Sequence, residues 1–398
     1  MSTPVDGPMK GVRILDLGSM IAGPAAASIL ADQGAEVIKI EPPGIGDVMR
    51  YLGAMRGGVS GLFHNTNRGK RSLAVNLKSE EGMDVIRRLV PTVDVVLHNF
   101  RAGVAERLGI DYDSLKAVNP QLIYLWVTGF GTEGPMAGKA AYDNVIQAFA
   151  GVSQSQSDAN TGEPIQYYQL FSDKLTALTG AQAISAALFA REQGRGGQRI
   201  NLSMVDSVTS FLWSDVSGVS TFLEGGAISG LDVGRLKLVK FKDGWGAVAA
   251  VTDAQFHGLC SAFEVDSSAA DLATATQRNK NPEKVVEVIK AFRHAATDMS
   301  VADAMARMEQ ADVPCAQAML LADLPDNVQM QANNSFVETQ HPQAGRMVEP
   351  QNPPNFSVTP SGVGSPSATL GQHTDTILAE LGYDSGAIAE LRDGGAVG

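Results

Sequence analysis

Apolar and polar positions follow a repeating strand–helix order over the first 130 residues. Short apolar runs of the kind that form buried strands occur at residues 12–18, 35–41, 71–77, 94–100 and 121–131. Between them, segments 22–34 and 79–90 carry small or apolar residues at helical spacing, and Gly34 marks the end of the first segment. Strands and helices that alternate in this way predict an α/β fold, with a parallel sheet covered by helices on both faces.

The pattern changes after residue 220 and predicts a second, smaller α/β domain at roughly 225–325. A glycine-rich stretch at 222–235 marks the boundary. Beyond it, residues 237–251 predict a hairpin around Asp243-Gly244, and three helical patterns follow. The remainder turns proline-rich and ends in a predicted helix at 374–383.

The chain is acidic and poor in cysteine, which narrows the classes of function. Its formal net charge is −12 and its pI is about 5.0, so nucleic acid and anionic membrane surfaces are poor partners. No apolar run approaches the ~18 residues of a membrane span, and the first residues lack the apolar core of a signal peptide. Only Cys260 and Cys315 occur, without paired spacing, so we expect a cytoplasmic protein.

Motifs that hold nucleotides or metals are missing from the sequence. The first strand–helix turn reads DLGSMIAGP (16–24) and lacks the glycine pattern of dinucleotide-binding turns, which argues against a nicotinamide dehydrogenase. The six histidines are scattered and show no paired His or Cys spacing. We therefore expect neither a bound metal nor a redox cofactor.

Basic residues gather around two predicted strands despite the acidic total. Arg68, Lys70 and Arg71 flank one of them, Lys78 follows it, and residues 99–107 follow the next. Ligands of open parallel sheets sit beyond the carboxyl ends of strands, so Lys78 and the 99–107 segment are candidates for a phosphate-bearing ligand. Spacing alone favours the alternative, a set of solvated surface charges.

Asp173 stands between an aromatic run and a long helical pattern in QYYQLFSDKLTAL (166–178). Local pattern favours an N-cap or first-turn role, and Tyr142-Asp143 reads as another helix start. Capping does not exclude chemistry, because a helix N-terminus is expected to lower the pKa of a carboxyl group and an ionised carboxylate can attack an acyl group. Tyr167 and Tyr168 could form one wall of a pocket.

Several stretches, in this order, resemble the class III CoA-transferases, also called the CaiB/BaiF family. The most specific are NRGKRSLAVNLK (67–78), VLHNFRAGVAERLG (96–109) and LGQHTDTILAELG (370–382). The resemblance implies a large Rossmann-like domain built from residues 1–224 and 326–398, with the small domain at 225–325 between its two parts. It also implies a homodimer in which each chain forms a ring threaded through the other.

The same resemblance implies transfer of CoA from an acyl-CoA donor to a carboxylic acid, without a cofactor other than the CoA thioester substrate itself. Asp173 matches the nucleophile of the family, which forms mixed anhydrides and an aspartyl-CoA thioester. Tyr142 matches a tyrosine near the reacting thioester. Further positions match those that line the CoA site of formyl-CoA transferases: Ala22, Val75, Lys78, Asn99, Phe100, Val104 and Arg107. Of these, Lys78 and Arg107 would meet the phosphates, and Phe100 and Val75 the adenine end.

Three departures bear on the substrate. Pro42 replaces an arginine that contacts CoA in formyl-CoA transferases, Ile21 replaces a polar residue, and the four-glycine loop is absent, with GGAISGLDVG (225–234) as a shorter substitute. These changes argue against formyl and oxalyl substrates. Two alternatives stay open: an α-methylacyl-CoA racemase, whose histidine is replaced here by Tyr142, and a CoA-binding protein without catalysis.

Overall fold

The computed structural model describes residues 5–158, 160–226 and 238–398. Most of the glycine-rich stretch GGAISGLDVG lies outside the described residues. Those that are described form two compact units, one from the residues up to Ser217 together with Gln329–Gly398, the other from Gly218–Val328. None of the described helices is long and apolar enough to cross a membrane.

The first part of the larger unit holds eight strands and nine helices. Its strands are β1 (Arg13–Asp16), β2 (Glu36–Glu41), β3 (Met55–Arg56), β4 (Val59–Ser60), β5 (Lys70–Ala74), β6 (Val95–His98), β7 (Ile123–Thr128) and β8 (Gln198–Ser203). Its helices are α1 (Ala22–Asp32), α2 (Gly61–Asn67), α3 (Glu80–Leu89), α4 (Val104–Leu108), α5 (Tyr112–Val118), α6 (Asp143–Phe149), α7 (Val152–Ser155), α8 (Phe171–Ala190) and α9 (Met204–Val216).

Six of these strands form one parallel sheet in the order β5-β2-β1-β6-β7-β8. Counted along the chain, this is the order 3-2-1-4-5-6 of dinucleotide-binding Rossmann folds. In this order, successive strands are added first on one side of the first strand and then on its other side, so the strand order reverses between the first and fourth strands. Here that reversal lies between β1 and β6, where Ile14 is paired with Val95. The predicted parallel α/β sheet is confirmed.

Both faces of the sheet are covered, which explains why its strands are apolar rather than alternating. On one face, the core contains side chains of α3 and α5, including Ile86 and Leu115. On the other face, α1 and α8 supply most of the helical side chains of the core, including Leu30 and Ile184. Helices α1 and α8 therefore lie on the same side of the sheet.

The described residues of the smaller unit form a three-stranded antiparallel sheet and four α-helices. Its elements are β9 (Val239–Lys240), β10 (Trp245–Val248), α10 (Asp253–Ala262), α11 (Ala275–Lys280), α12 (Pro282–Thr297), α13 (Val301–Gln310) and β11 (Cys315–Gln317). The hairpin predicted around Asp243-Gly244 is present as β9 and β10. Three helices were predicted, and the short α11 is an addition.

The returning part of the chain is more structured than its proline content predicts. It contains α14 (Val328–Ala332), β12 (Phe336–His341), β13 (Gly345–Pro350), α15 (Thr374–Glu380) and α16 (Ser385–Asp393). Strands β12 and β13 pair as an antiparallel hairpin. Beyond α16, Val397 forms a bridge with Val75 next to the edge strand β5. The helix predicted at 374–383 is present as α15, which ends three residues earlier, but it is not the last one, because α16 follows it.

Candidate active site

Asp173 lies in the first turn of the longest described helix. Helix α8 begins at Phe171, which makes Asp173 its third residue, and Leu170 before it supplies no capping hydrogen bond from its side chain. Asp173 is thus a first-turn residue and not the N-cap. Among the described residues, none donates a hydrogen bond to its carboxylate, so the group is not used up by a structural contact.

The capping contact at this helix comes instead from Asp143 of α6. Its Oδ2 accepts the backbone N–H of Asp173 at 2.9 Å, one of the four N–H groups that lack a partner within any helix start. Its Oδ1 accepts a hydrogen bond from Nε2 of Gln147 at 2.5 Å. Asp143 is buried, with 4% of its surface exposed. The contact places two acidic residues side by side at the junction of α6 and α8.

Gln147 also fixes the segment that leads into α8. Its Oε1 accepts the backbone N–H of Tyr167 at 2.9 Å, and its Nε2 donates to the carbonyl oxygens of Tyr167 at 3.3 Å and Gln169 at 3.1 Å. Asp143 and Gln147 are one helical turn apart on α6, so both face this segment. Residues 167–169, which lead into α8, are therefore held against α6 by hydrogen bonds from the Gln147 side chain.

Burial, together with the negative charge of Asp143, raises the pKa of Asp173 to about 7. The sequence-based expectation that the helix N-terminus would lower this pKa is wrong. A helix N-terminus contributes at most ~1–2 kcal/mol, whereas removal of a carboxylate from water and a nearby like charge both oppose ionisation. At neutral pH the group is therefore poised between its two protonation states.

Aromatic side chains surround the start of α8. The Tyr167 ring stacks on Phe171 with centroids 5.3 Å apart, and Phe171 meets Phe211 of α9 edge-on at 5.8 Å. Tyr142, which directly precedes α6, is 62% exposed, and Tyr168 is 99% exposed. The predicted aromatic wall is thus built mainly by Tyr167 and Phe171, with Tyr142 open to an incoming ligand.

A second feature is the turn between β1 and α1, residues 17–21, at the point where the strand order reverses. Asn99, which follows β6, clamps this turn from across the crevice. Its Oδ1 accepts the N–H of Ser19 at 2.9 Å and its Nδ2 donates to the Ser19 carbonyl at 2.8 Å. Ile21 packs in a small apolar cluster that also contacts Leu170. The turn therefore connects the end of β6 with the approach to Asp173.

His98 supports the predicted adenine contact Phe100, and sequence reasoning missed it. The two rings stack with centroids 5.1 Å apart. Nδ1 of His98 accepts the Phe100 backbone N–H at 3.1 Å, so its proton lies on Nε2, which is 2.6 Å from the Tyr124 hydroxyl. Burial, and secondarily the charge of Arg199, lower the pKa of His98 to about 3. His98 is thus a neutral support and not an acid or base.

The other predicted CoA residues divide by exposure. Lys78 and Arg107 are exposed, and neither forms an ion pair within the described ranges, so their charges are open to phosphate. Val104, at the start of α4, is partly buried. Ala22 is 3% exposed and Val75 is 1% exposed, so both side chains belong to the core.

Arg68 and Lys70 are buried, so their interpretation as solvated surface charges is wrong. Arg68 pairs with Asp32 at 2.7 Å, and Lys70 pairs with Asp16 at 2.8 Å. Internal carboxylates attract these cations, and sequence spacing alone does not reveal such partners. In the part of the chain that the structure describes, no group of three or more His, Cys, Asp or Glu side chains is placed to hold a metal ion.

Comparison with known proteins gives a consistent family. The model of CoA-transferase family III matches residues 9–374. Succinate–glutarate CoA-transferase of Agrobacterium fabrum is 32% identical over 94% of this chain and 96% of its own length. Formyl-CoA:oxalate CoA-transferase of Rhodopseudomonas palustris is 30% identical over 98% of this chain and 97% of its own length.

The fold comparison agrees with the sequence comparison. The crystal structure of a CAIB/BAIF family protein from Brucella suis matches with a TM-score of 0.80 and 30% sequence identity. The match covers 94% of this chain and 99% of that one. The similarity therefore extends across both compact units.

Proposed function

Because this chain belongs to CoA-transferase family III, we propose that it carries out the transfer through Asp173 as a covalent nucleophile. The observation that carries the proposal is the state of that carboxylate. It is half-buried, accepts no hydrogen bond from the described residues and has its pKa raised to about 7 by burial and by Asp143. A weakly solvated carboxylate is more nucleophilic than an ordinary aspartate, and a large fraction of it is ionised at neutral pH.

The transfer proceeds by exchange between thioester and anhydride. An Asp173 oxygen attacks the donor thioester carbonyl, the C–S bond breaks, and CoA thiolate leaves a mixed anhydride behind. The thiolate then attacks the Asp173 carbonyl carbon and releases the donor acid as its carboxylate. The product is an aspartyl-CoA thioester, and no net proton is gained or lost. No metal or redox cofactor is required, because every step is an acyl exchange.

The second half repeats this chemistry with the acceptor acid. Its carboxylate attacks the aspartyl-CoA carbonyl and expels CoA thiolate, which gives a second anhydride. The thiolate then attacks the acceptor's carbonyl carbon, and Asp173 leaves as a carboxylate. The negative charge of Asp143 does not assist this last step, because it repels the carboxylate that forms on Asp173. In this mechanism Asp143 therefore serves mainly to hold the Asp173 backbone through their hydrogen bond.

For the acids, we propose dicarboxylates of the size of succinate and glutarate. A relative named for these two acids and one named for formyl-CoA and oxalate are almost equally similar to this chain. Two local departures separate this chain from the formyl-CoA transferase pattern: Pro42 replaces an arginine and Ile21 replaces a polar residue. We expect succinyl-CoA with glutarate to be used at a higher kcat/KM than formyl-CoA with oxalate. The reverse order in a panel of donors and acceptors would contradict this assignment.

Trapping of the covalent intermediate tests the mechanism. Incubation with succinyl-CoA followed by hydroxylamine should convert Asp173 to its hydroxamate, which mass spectrometry of the peptide detects. Asp173→Ala should abolish both the modification and transfer. Asp206→Ala is a matched control, because Asp206 is likewise the third residue of its helix, and it should keep wild-type activity. Transfer at the wild-type rate by the Asp173→Ala variant would exclude the mechanism.

The racemase alternative makes a different prediction for isotope exchange. A racemase moves a proton at the α-carbon and needs two groups that exchange it. Tyr142 occupies the position of the racemase histidine and is largely exposed. We therefore expect no solvent deuterium at the α-carbon of a branched acyl-CoA on the time scale of CoA transfer. Rapid deuterium incorporation would favour the racemase.

We also propose that the protein acts as a homodimer. Large apolar side chains are exposed at the end of α9 and in the residues after it: Phe211, Trp213, Val216, Val219, Phe222 and Leu223. Six such residues within a stretch of 13 exceed the scattered apolar exposure that monomers show. A second copy of the chain is the partner that the family resemblance implies, in the interlocked form.

A further inference from the structure

The turn between β1 and α1 holds a strained residue at the crevice of the sheet. Met20 has φ of 66°, a left-handed conformation that residues other than glycine rarely adopt. Such strain persists only where the surrounding structure fixes the backbone. Buried side chains from beneath the turn fix its backbone here.

Two buried lysines hold the turn from beneath. Nζ of Lys39 donates to the Gly18 carbonyl at 2.9 Å, and Nζ of Lys70 donates to the Pro24 carbonyl at 2.7 Å. Their side chains are each 2% exposed. Lys39 comes from β2, which pairs with β1, and Lys70 comes from β5, the next strand beyond β2, so the backbone after β1 is tied to two strands other than its own.

Two carboxylates complete the support and neutralise these charges. Asp16 pairs with Lys70 at 2.8 Å, and its other oxygen accepts the Gly18 N–H at 2.9 Å. Asp47 pairs with Lys39 at 3.0 Å, and its Oδ1 accepts the Met20 N–H at 3.4 Å. Each of the four charged groups thus forms a hydrogen bond with the backbone of residues 18–24, and the two ion pairs neutralise their charges.

Such a network is a poor choice for stability alone. Removing charges from water costs about as much as their pairing returns, and packed apolar residues of the same volume often stabilise a core equally well. What the network does directly is to fix the positions of the Gly18 and Pro24 carbonyl groups. The backbone geometry of the turn is what the four charges determine.

This geometry matters because the turn joins the two halves of the candidate site. On one side Asn99 clamps Ser19, next to the predicted adenine contact Phe100. On the other side Ile21 shares an apolar cluster with Leu170, three residues before Asp173. A displacement of the turn would change how a ligand beyond β6 is aligned with α8.

We propose that Lys39 and Lys70 are positioning residues for CoA transfer: they fix the backbone of residues 18–24, from the turn into the first turn of α1, so that a bound CoA thioester is aligned with Asp173. The inference rests on the proposed function. Neither lysine touches the substrate, and both act through the backbone that they hold. Loss of their charges should therefore raise the dissociation constant of CoA and KM for the acyl-CoA markedly, while the melting temperature changes little.

The test uses charge-balanced variants of the full chain. The double variant Lys70→Met/Asp16→Asn removes one support without leaving an unpaired buried charge. The control is Arg68→Met/Asp32→Asn, which removes a comparably buried pair at the opposite end of α1 together with one contact of the buried Glu349. For each protein, the dissociation constant of CoA, kcat, KM for the acyl-CoA, the melting temperature and hydrogen–deuterium exchange of residues 17–25 are measured.

We expect the Lys70 pair to weaken CoA binding by about tenfold to a hundredfold and to speed exchange of residues 17–25, whereas the control pair lowers the melting temperature but leaves both unchanged. Met20→Gly provides a second variant that removes no charge. It relieves the strained φ, should preserve the melting temperature, and should still raise KM because the turn becomes less restricted.

Two outcomes would overturn the inference: equal effects of the Lys70 pair and the control pair on CoA binding, or unchanged exchange of residues 17–25 in the Lys70 pair. Failure of the proposed function looks different. In that case the wild-type protein transfers no CoA, or Asp173→Ala transfers it equally well, while CoA binding and exchange of residues 17–25 still report whether the lysines fix the turn.

Discussion

At the scale of single residues, the start of α8 combines two opposing demands on one carboxylate. In the proposed mechanism Asp173 must be ionised to attack a thioester, yet burial and the adjacent Asp143 both favour its protonated form. The result is a pKa near the pH at which most cells operate, where base strength and the ionised fraction are balanced. The same environment that makes the carboxylate reactive therefore makes the enzyme sensitive to acid.

The first prediction concerns this sensitivity. We expect kcat/KM for the acyl-CoA to fall below about pH 7, because protonation of Asp173 removes the nucleophile. Asp143→Asn should move this acidic limb to lower pH, since it removes the like charge. The movement should be only partial, because burial is the larger cause of the shift. The measurement is the pH profile of kcat/KM for both proteins.

Interpretation of that profile needs a control for the lost hydrogen bond. Gln147→Ala disturbs the same segment without changing charge, because Gln147 binds the Asp143 carboxylate and the backbone of Tyr167. It should lower kcat without moving the acidic limb. An acidic limb that stays fixed in Asp143→Asn would show that the Asp143 charge does not reach Asp173.

Sequence reasoning found Asp173 but not the residues around it. The family resemblance pointed to Asp173 as the proposed nucleophile, whereas local pattern suggested only a cap or a first-turn residue. Gln147 was overlooked and Asp143 was read only as a helix start, although their spacing of four on a predicted helix was a usable sign that they share one face. His98 gave no such sign, because its partners Tyr124 and Phe100 are brought to it by the fold. Contacts between distant residues decide pKa values, so the sign of the Asp173 shift was not predictable from local pattern.

At the scale of elements, buried polar contacts attach the β12–β13 hairpin to α2. Glu349 of β13 accepts from Nε2 of His64 at 2.7 Å and pairs with Arg68 at 3.2 Å. Its other oxygen accepts from Thr339. Burial alone would raise the pKa of Glu349, but the hydrogen bonds from His64 and Thr339 and the nearby charges outweigh it and lower the pKa to about 2.

The second prediction is that Glu349→Gln destabilises the fold. Loss of a buried charge partner costs about 3–5 kcal/mol, because Arg68 then keeps only part of its compensation. A depressed carboxyl pKa stabilises the protein above the unfolded value of 4.5, and this contribution disappears as the pH falls towards about 2. Urea unfolding at pH 7 and at pH 3 should therefore show a smaller difference between variant and wild type at the lower pH.

A matched control lies on the same hairpin. Glu338 of β12 pairs with Arg346 at the surface, where the two side chains are 68% and 77% exposed. Glu338→Gln should change the free energy of unfolding by less than about 1 kcal/mol, as exposed pairs contribute little. Equal losses in the two variants would mean that burial of the Glu349 contacts is not what stabilises the hairpin.

The elements themselves were predictable to different degrees. The strands of the parallel sheet are continuous apolar runs, so pattern located them and their order suggested the fold class. The β12–β13 hairpin escaped, because its residues alternate in exposure and adjoin a proline-rich segment, which reads as a loop. Its stability depends on polar partners some 280 residues earlier in the chain, and no local pattern records those.

At the scale of the whole molecule, exposed apolar residues predict assembly. The third prediction is that the protein has about twice the mass of one 41.8 kDa chain in solution. Phe211→Asp should reduce the dimer fraction, because it places a charge among the exposed apolar residues after Ser210. Light scattering coupled to size-exclusion chromatography measures both. Val118→Asp, at a residue on α5 that is 49% exposed, is the control and should remain dimeric.

A wild-type protein that stays monomeric at micromolar concentration would contradict the proposed homodimer. A dimer that Phe211→Asp leaves intact would instead show that these apolar residues lie outside the interface. The two outcomes are separate, because the first concerns the oligomeric state and the second the surface. The second outcome applies to chains that are not threaded through each other, because an interlocked dimer separates only when it unfolds.

The pairing of the last residues with β5 has a consequence for synthesis. Gly398 donates to the Ala74 carbonyl, Asn76 donates to the Ala396 carbonyl, and His373 binds the backbone of Ser72 some 301 residues earlier. Until residues 373–398 have been translated, the edge strand β5 therefore lacks these backbone partners. The larger unit cannot reach its final form until the smaller unit has been translated, because the residues that complete this edge follow it in the chain. We infer that a nascent chain that stops before residue 373 exposes the outer edge of β5, an unpaired strand edge of the kind that mispairs and that chaperones shield.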